Sequence, residues 1–157
     1  MDMKSIASAL LAALAFGLAP AAHAADKPAF DPQLAKETGA DERGMRRYVL
    51  VILKTGPNRI PAGPERDEMF KGHFANITRL AEAGQLVLAG PLDGVDGWRG
   101  LFVFAVAEID EARKLVETDP VVAKGEMVPE FHKYYGSAAL MKITELHAKL
   151  QPPPKKP

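Results

Sequence analysis

His73 is the residue whose type and surroundings are best suited to chemistry, because it lies on the apolar side of a predicted helix. An imidazole changes charge near neutral pH, so it can accept or donate a proton there. An isolated carboxylate, Asp119, follows later in the chain and directly precedes Pro120. The sequence contains no cysteine, which excludes thiolate nucleophiles, disulfide bonds and cysteine metal ligands. His73 and Asp119 are therefore candidates for general acid/base chemistry without a thiol.

Both residues also have a purely structural explanation. A histidine in a core is usually satisfied by a hydrogen bond to a backbone carbonyl. An aspartate followed by proline is a common N-cap of a short helix. The two roles of Asp119 can coexist if one oxygen caps the helix and the other faces a pocket. Spacing alone leaves both explanations open.

A second group of candidate ligand-binding residues flanks a glycine-rich connection. Gly90 and Pro91 can bring the backbone close to a ligand, although a turn that ends a strand explains them as well. Trp98 offers a flat apolar surface and Arg99 a charge, which suit an aromatic or anionic ligand. A tryptophan packed over its own hairpin is the alternative.

A metal or haem site has little support in the sequence. His132 and Glu130 can join His73 and Asp119 as ligands, but the sequence has no close-spaced ligand pair of the usual kind. A haem needs an axial ligand in a large apolar pocket, and His73 alone does not indicate one. We expect neither a metal nor another cofactor.

The N-terminal residues 1–24 have the pattern of a signal peptide. Lys4 gives a basic start, residues 6–18 are apolar, and small residues precede a cleavage site after Ala24. The apolar run is shorter than the about 20 residues that span a bilayer. We therefore expect an exported protein, periplasmic or secreted, with no membrane contact after cleavage.

The charge balance argues against a nucleic-acid partner. Lysine plus arginine and aspartate plus glutamate number 20 each, and the formal net charge is zero. Proteins that bind nucleic acid usually carry a basic excess. A small-molecule ligand is the more consistent expectation.

The apolar pattern predicts one α+β domain over residues 45–150. A flexible arm is expected at 25–44 and a disordered Pro/Lys-rich tail at 151–157. Strands are predicted at 48–53, 86–89, 101–107 and 127–135, the last at an edge because it contains Pro129. Helices are predicted from Pro64 to Gly84, after an Asp110 cap, in a turn at 121–124 closed by Gly125, and at 138–150.

The first long helix has a predicted inward stripe that includes His73 at its border. Spacing of about 100° per residue places Phe70, Phe74, Ile77, Leu80 and Ala81 together. His73 lies only about 40° from Ile77 on the same projection. We therefore expect the imidazole to face inward or to lie at the edge of the core.

The order strand-helix-strand, given twice, is the split βαβ arrangement of ferredoxin-like folds with an antiparallel sheet. Two helices cover only one face of a four-stranded sheet, yet strands 48–53 and 101–107 are apolar on both faces. A second copy of the same sheet is the simplest cover for the other face. We therefore expect a homodimer with pockets near the facing sheets and helices.

The combination of these pieces resembles the YCII-related (YciI-like) family over about residues 45–135. The matching pieces are the strand 48–53, the block 73–91, the segment 97–100 before a strand, and residues 119–125. The resemblance implies a dimeric α+β barrel with a histidine-aspartate pair in a pocket, which maps onto His73 and Asp119. Some members are small lyases that remove hydrogen halide from chlorinated ring compounds. This chain departs from short members in its signal, its arm and its C-terminal extension.

The resulting hypothesis is a small cofactor-independent enzyme, of lyase or isomerase type, that acts on a small organic molecule. His73 serves as general acid or base, and Asp119 holds the tautomer and stabilises the imidazolium. The alternative is a non-catalytic small-molecule-binding or accessory dimeric module in the periplasm. Hydrogen-bond contact between the two residues in a polar pocket favours the enzyme. A pocket filled by Phe74, Trp98 or Phe131 favours the module.

Overall fold

A four-stranded antiparallel sheet lies at the centre of the computed structural model, which describes residues 28–153. The strands are β1 (Met45–Thr55), β2 (Leu86–Pro91), β3 (Trp98–Phe104) and β4 (Met127–Ser137). The helices are α1 (Pro32–Thr38), α2 (Pro64–Glu82), α3 (Ile109–Val116), α4 (Pro120–Ala123) and α5 (Ile143–Leu150). Their sheet order, β2-β3-β1-β4, with antiparallel neighbours throughout, is that of a ferredoxin-like fold. The predicted fold class is confirmed.

The central position of β1 follows from its continuous apolar run. Val49, Val51 and Leu53 point to the helix-covered face and belong to the main core, whereas Tyr48 belongs to a cluster on the other face. Successive residues of a strand alternate between faces, so a strand buried on both sides must be apolar throughout. β1 is hydrogen-bonded to β3 on one side and to β4 on the other. β4 is an edge strand, as the position of Pro129 predicts.

Helix α2 begins and ends where the sequence predicts, but its buried face is rotated. Pro64 is the first helical residue, and Gly84 follows the end with a φ of 68°. The buried residues are Met69, His73, Asn76 and Leu80. The predicted stripe is wrong for Phe74, which is 61% exposed. The rotation places His73 on the buried face, where it meets a carboxylate from another element.

Helix α3 begins before the predicted cap. Its N-cap is Glu108, whose side chain makes no capping hydrogen bond, and Asp110 lies within the first turn. Asp110 therefore contributes only a favourable charge at the positive end of the helix. The predicted turn after Asp119 is present as α4, and Gly125 follows it with a φ of 72°. That left-handed conformation is accessible to glycine at little cost.

The arm predicted to be flexible at 25–44 contains a capped helix in its described part. Asp31 Oδ1 accepts hydrogen bonds from the backbone N–H groups of Gln33 and Leu34, which starts α1. Arg46 of β1 donates to the Thr38 carbonyl over 3.0 Å. The Arg46 bond joins α1 to the sheet. The flexibility of residues 25–44 stays a prediction.

The C-terminal extension covers part of the second sheet face. The predicted helix at 138–150 is divided into a 3₁₀ turn, Ala138–Lys142, and the helix α5. Leu140 and Met141 of the turn pack against the cluster of Tyr48, Val87 and Val103 on that face. The chain therefore supplies some of the cover that the sequence assigned to a second subunit.

The predicted signal peptide at 1–24 and residues 154–157 of the predicted tail lie outside the described residues. Within residues 28–153, no helix has the length and apolar character required to cross a membrane.

Candidate active site

The buried pair of His73 and Asp119 is the centre of the candidate site. His73 Nδ1 lies 2.8 Å from Asp119 Oδ2 and 3.0 Å from Oδ1. The aspartate is fully buried and the histidine is 8% exposed. A carboxylate only accepts hydrogen bonds, so Nδ1 carries the proton and donates it to Asp119. Nε2 is then the ring nitrogen available to exchange a proton with a ligand.

Asp119 performs the structural role as well. Its Oδ1 accepts a hydrogen bond of 3.1 Å from the backbone N–H of Val121, and it is therefore the N-cap of α4. Pro120 occupies the first helical position, where its missing N–H has no cost. The capping geometry orients the carboxylate before any ligand arrives. The capping role is therefore present, and the other oxygen faces the His73 ring rather than the cavity, which Asp119 does not line.

Three phenylalanines fix the plane of the His73 ring. Phe102 of β3 is stacked on it at 6.1 Å between centroids, and Phe70 meets it edge-on at 5.9 Å. Phe74 approaches it at 5.3 Å. Aromatic neighbours in these arrangements hold an imidazole by packing. The hydrogen bond to Asp119 and this packing together allow little reorientation of the ring.

A close approach of two helices brings the pair together. Gly72 of α2 faces Pro120 of α4, and a Cβ built on Gly72 lies 3.0 Å from the Pro120 Cγ. A side chain at this position requires the Pro120 ring or its helix to shift by a few tenths of an ångström. Gly72 and Pro120 adjoin His73 and Asp119 in sequence, so this contact sets the separation of the pair.

His73 opens onto a cavity of about 400 Å³ between α2 and the sheet. The lining residues are Leu53, Phe70, His73, Phe74, Ile77, Ala89, Gly90, Pro91, Arg99, Gly100, Phe102 and Met127. His73 and Arg99 are the ionisable side chains among these described lining residues. The volume lies in the range of small-molecule sites, which are mostly apolar with a few oriented polar groups.

The structure brings three of the four predicted ligand-binding residues to this cavity. Gly90, Pro91 and Arg99 line its wall. Trp98 does not, and it is 41% exposed. Strict alternation from Phe102 would place Trp98 on the cavity side, but the register of β1 and β3 shifts here. Gly100 pairs with Leu53 and Trp98 with Lys54, so Arg99 is the extra residue of a bulge, which re-aims its side chain. The apolar lining from β1 and β4, such as Leu53 and Met127, was not predicted, because only the fold places these strands beside α2.

Glu126 is a functional candidate that the sequence analysis missed. It is fully buried, and its two oxygens accept hydrogen bonds of 2.7 Å from the Ile60 N–H and from Arg66. Burial favours the neutral form, but these hydrogen bonds and the charges of Arg66 and Arg59 outweigh it and lower the pKa of the carboxyl. Glu126 was missed because it lies between a glycine and a strand, where no sequence pattern distinguishes a buried acid from an exposed one.

Glu126 also lies behind the cavity wall at Arg99. Arg99 Nη1 is 3.8 Å from Glu126 Oε1, too far for a hydrogen bond. This Nη1 atom is buried and has no hydrogen-bond partner among the described residues.

The four residues considered for a metal site do not converge. His132 Nε2 lies 2.8 Å from Glu130 Oε1, but the pair is on the second face of the sheet, opposite Leu50 and Ile52. His73, a residue of α2, lies on the helix-covered face. In the described part of the chain, no three side chains of histidine, aspartate or glutamate are grouped as metal ligands.

Phe74 lines the cavity without filling it, since most of its side chain is exposed. Phe131 and Trp98 are not lining residues. Of the two features expected of an enzyme, the hydrogen bond between His73 and Asp119 is present, whereas the cavity lining is predominantly apolar rather than polar.

Comparisons with known proteins identify a family. The sequence matches the YCII-related domain over residues 47–129, and no curated protein matches it. One similar solved structure is the 5-chloro-2-hydroxyhydroquinone dehydrochlorinase of Burkholderia phenoliruptrix in complex with 2,5-dihydroxybenzoquinone. It has 19% sequence identity and a TM-score of 0.42, over 55% of this chain and 92% of that chain. Because the domain match spans more than half of its length, the chain belongs to the YCII-related family.

Proposed function

We propose that the protein is a small enzyme of lyase or isomerase type that uses His73 and Asp119 as an acid/base pair on a small organic molecule. The observation that carries the proposal is the hydrogen bond of 2.8 Å between His73 Nδ1 and a fully buried Asp119, beside an open cavity. A base needs a free nitrogen near the substrate and a fixed tautomer. This arrangement supports both requirements.

The proposed chemistry begins with His73 Nε2 removing a proton from a carbon beside an electron-withdrawing group. In elimination, the electrons of the C–H bond form a new double bond, and the leaving group departs with its own electron pair. In isomerisation, the same proton returns to another carbon. Asp119 stabilises the imidazolium that forms, because opposite charges attract strongly in a buried site.

The experiment is a screen of ring compounds with acidic C–H bonds, monitored by halide release and by solvent deuterium incorporation. We expect turnover by wild-type protein and a loss of about 10² to 10⁴-fold in His73→Gln. The exposed His147 supplies a matched control, since His147→Gln changes the same residue type away from the cavity. Full activity in His73→Gln contradicts the proposal.

A second candidate is a binding module that uses the same cavity without turnover. The observation that favours it is the predominantly apolar lining around His73. A ligand that binds wild-type protein and His73→Gln equally, and is recovered unchanged from both, supports this alternative.

The dimer expected from the sequence is proposed to form through the second sheet face. Its described exposed residues include Leu88, Val128 and Tyr134, each about two-fifths exposed.

We also propose that the protein is exported, on the basis of the pattern of residues 1–24. A mature protein that begins at Ala25, measured by intact mass in a periplasmic fraction, is the expected result, and a retained N-terminus contradicts it.

A further inference from the structure

We infer that the ligand of the cavity carries an anionic oxygen that binds Arg99 and a flat ring that packs against the phenylalanines. This inference rests on the proposed site but not on turnover. It assigns the substrate class as ring compounds with a carboxylate or phenolate. Three separate observations support it.

The first observation is the hydrogen-bonding state of Arg99. Its Nη1 is buried at the cavity wall, and it has no partner among the described residues. A buried donor without a partner is costly, and guanidinium groups prefer planar oxygen acceptors such as carboxylates. Nη1 itself has almost no accessible surface, so a ligand oxygen binds it after a small shift of the Arg99 side chain, which lines the cavity and is 23% exposed.

The second observation is an excess of positive charge behind the wall. Glu126 Oε1 lies 2.7 Å from Arg66, 3.7 Å from Arg59 and 3.8 Å from Arg99. One carboxylate neutralises one of these three guanidinium groups. Within residues 28–153, Glu126 is the acidic partner of all three. The uncompensated charge attracts an anion in a site with apolar walls.

The third observation is the shape and chemistry of the remaining wall. Phe70, Phe74 and Phe102 line the cavity around His73. An apolar cavity of about 150 Å³ accommodates benzene, so about 400 Å³ is enough for a ring with substituents. Aromatic side chains pack well on flat rings.

The two ionisable groups of the cavity wall, Arg99 and His73, define the orientation of the ligand. Arg99 is backed by Glu126, and His73 is backed by Asp119, with the two acids on either side of α4. The anionic oxygen therefore lies at Arg99, and the ring presents another atom to His73 Nε2.

Calorimetric titration with benzoate and with its neutral isostere benzamide tests this inference. We expect wild-type protein to bind benzoate about ten-fold or more tightly than benzamide, because a hydrogen bond to a charged group is involved. In Arg99→Gln the ratio should fall to about two-fold or less, and Arg99→Lys should keep part of it. Lys71→Gln removes the same charge from an exposed position on α2 and should keep the wild-type ratio.

Equal binding of the two compounds to wild-type protein, absence of saturable benzoate binding, or an unchanged ratio in Arg99→Gln each overturns the inference. If Arg99→Gln does not fold, the NMR shift of the Arg99 side-chain N–H in wild-type protein provides the readout. It should move on addition of benzoate and not of benzamide. These are binding measurements, so a failure of the turnover screen with a preserved benzoate preference rejects the catalysis alone.

Discussion

At the scale of single residues, the site is built from two nitrogen-bearing side chains, each backed by a buried acid. Asp119 makes a direct hydrogen bond to His73, whereas Glu126 contacts Arg99 only at 3.8 Å and binds Arg66 and the Ile60 N–H instead. A direct bond fixes a tautomer, while a more distant charge leaves donors free for a ligand. The difference is consistent with the roles proposed above, proton transfer at His73 and anion binding at Arg99.

Replacement of Asp119 should separate its capping role from its pairing role. Asp119→Asn keeps an acceptor for the Val121 N–H, whereas Asp119→Ala loses the cap and leaves the buried His73 Nδ1 unsatisfied. We expect Asp119→Ala to lower the free energy of unfolding by about 2–4 kcal/mol, and Asp119→Asn by clearly less. Urea unfolding measures both. As a control, Asp31→Ala removes only an exposed cap and should lower the free energy of unfolding by about 1 kcal/mol. If Asp119→Ala lowers it by no more than Asp31→Ala does, the pairing role of Asp119 is contradicted.

Glu126 should make the stability of the protein dependent on acidic pH. Burial raises its pKa, but hydrogen bonds from Ile60 and Arg66 and the nearby arginine charges hold it below its ordinary value of 4.5. The ionised form is favoured by folding, so its contribution is complete above 4.5 and is lost as the pH falls through the lowered pKa.

Urea midpoints between about pH 6 and about pH 3 measure this contribution. We expect Glu126→Gln to lose about 3 kcal/mol near neutral pH, because buried charges lose their partner, and to show a flatter decline in acid. Glu130→Gln is a control, since Glu130 also has a lowered pKa but its side chain is 41% exposed and partly screened by solvent. A Glu126→Gln profile parallel to that of wild-type protein is the contrary result.

At the scale of elements, α4 is the part that organises the site. It is only one turn long, yet Asp119 precedes it and Glu126 follows it after Gly125. α4 begins at Pro120, directly after its cap Asp119, and Gly125 follows it in a left-handed conformation. Both acids therefore point inward from one short segment. A Cβ on Gly56 would also meet the Gly125 carbonyl at 2.2 Å, which shows how closely the neighbouring loop packs on this turn.

A larger side chain at Gly72 should disturb the pair through this element. Gly72→Val forces α2 away from Pro120, and overpacking of this kind costs about 1–3 kcal/mol. We expect a lower free energy of unfolding, measured with urea, together with reduced turnover of any substrate found in the screen. Ala75→Val makes a β-branched change at an exposed site of the same helix and should cost about 0.5 kcal/mol or less. Similar effects of the two variants argue against a spacing role for Gly72.

At the scale of the whole molecule, the sheet separates two environments. The helix-covered face holds the main core and the cavity, while the second face carries Tyr48, Val87 and Val103 under the C-terminal turn. Leu50 and Leu101 pack at the edge of this second cluster and are only partly buried. The remaining apolar area is the surface proposed for a second subunit.

A charge on the second face should break the proposed dimer. We expect wild-type protein to have the mass of a dimer in light scattering after gel filtration, and Leu101→Glu to be a folded monomer. Val95→Glu places the same charge on an exposed loop residue and should remain dimeric. A monomeric wild-type protein rejects the dimer, and a dimeric Leu101→Glu rejects this face as the interface.

The fold and several residues of the candidate site could be predicted from the sequence because their signals are local. Alternating or continuous apolar runs indicated the strands, and Pro64, Gly84 and Asp119-Pro120 marked the ends of helices. The orientation of α2 about its own axis, which turns His73 inward, could not be predicted as closely as the bounds of the elements. The apolar stripe of α2 favours one orientation of the helix, whereas the hydrogen bond of His73 to Asp119 favours another. Asp119 is 46 positions away in the chain, so the periodicity of the helix carries no information about that bond.

The sequence by itself determined the fold class, the family and the candidacy of His73, Asp119, Gly90, Pro91 and Arg99. Only the tertiary structure decided that Trp98 lies outside the cavity, that Glu126 is buried beside three arginines, and that α1 packs on the sheet. The physical reason is the range of the interactions concerned. Caps, turns and apolar periodicity act between near neighbours in the chain, whereas buried ion pairs and cavity walls join residues that only folding brings together.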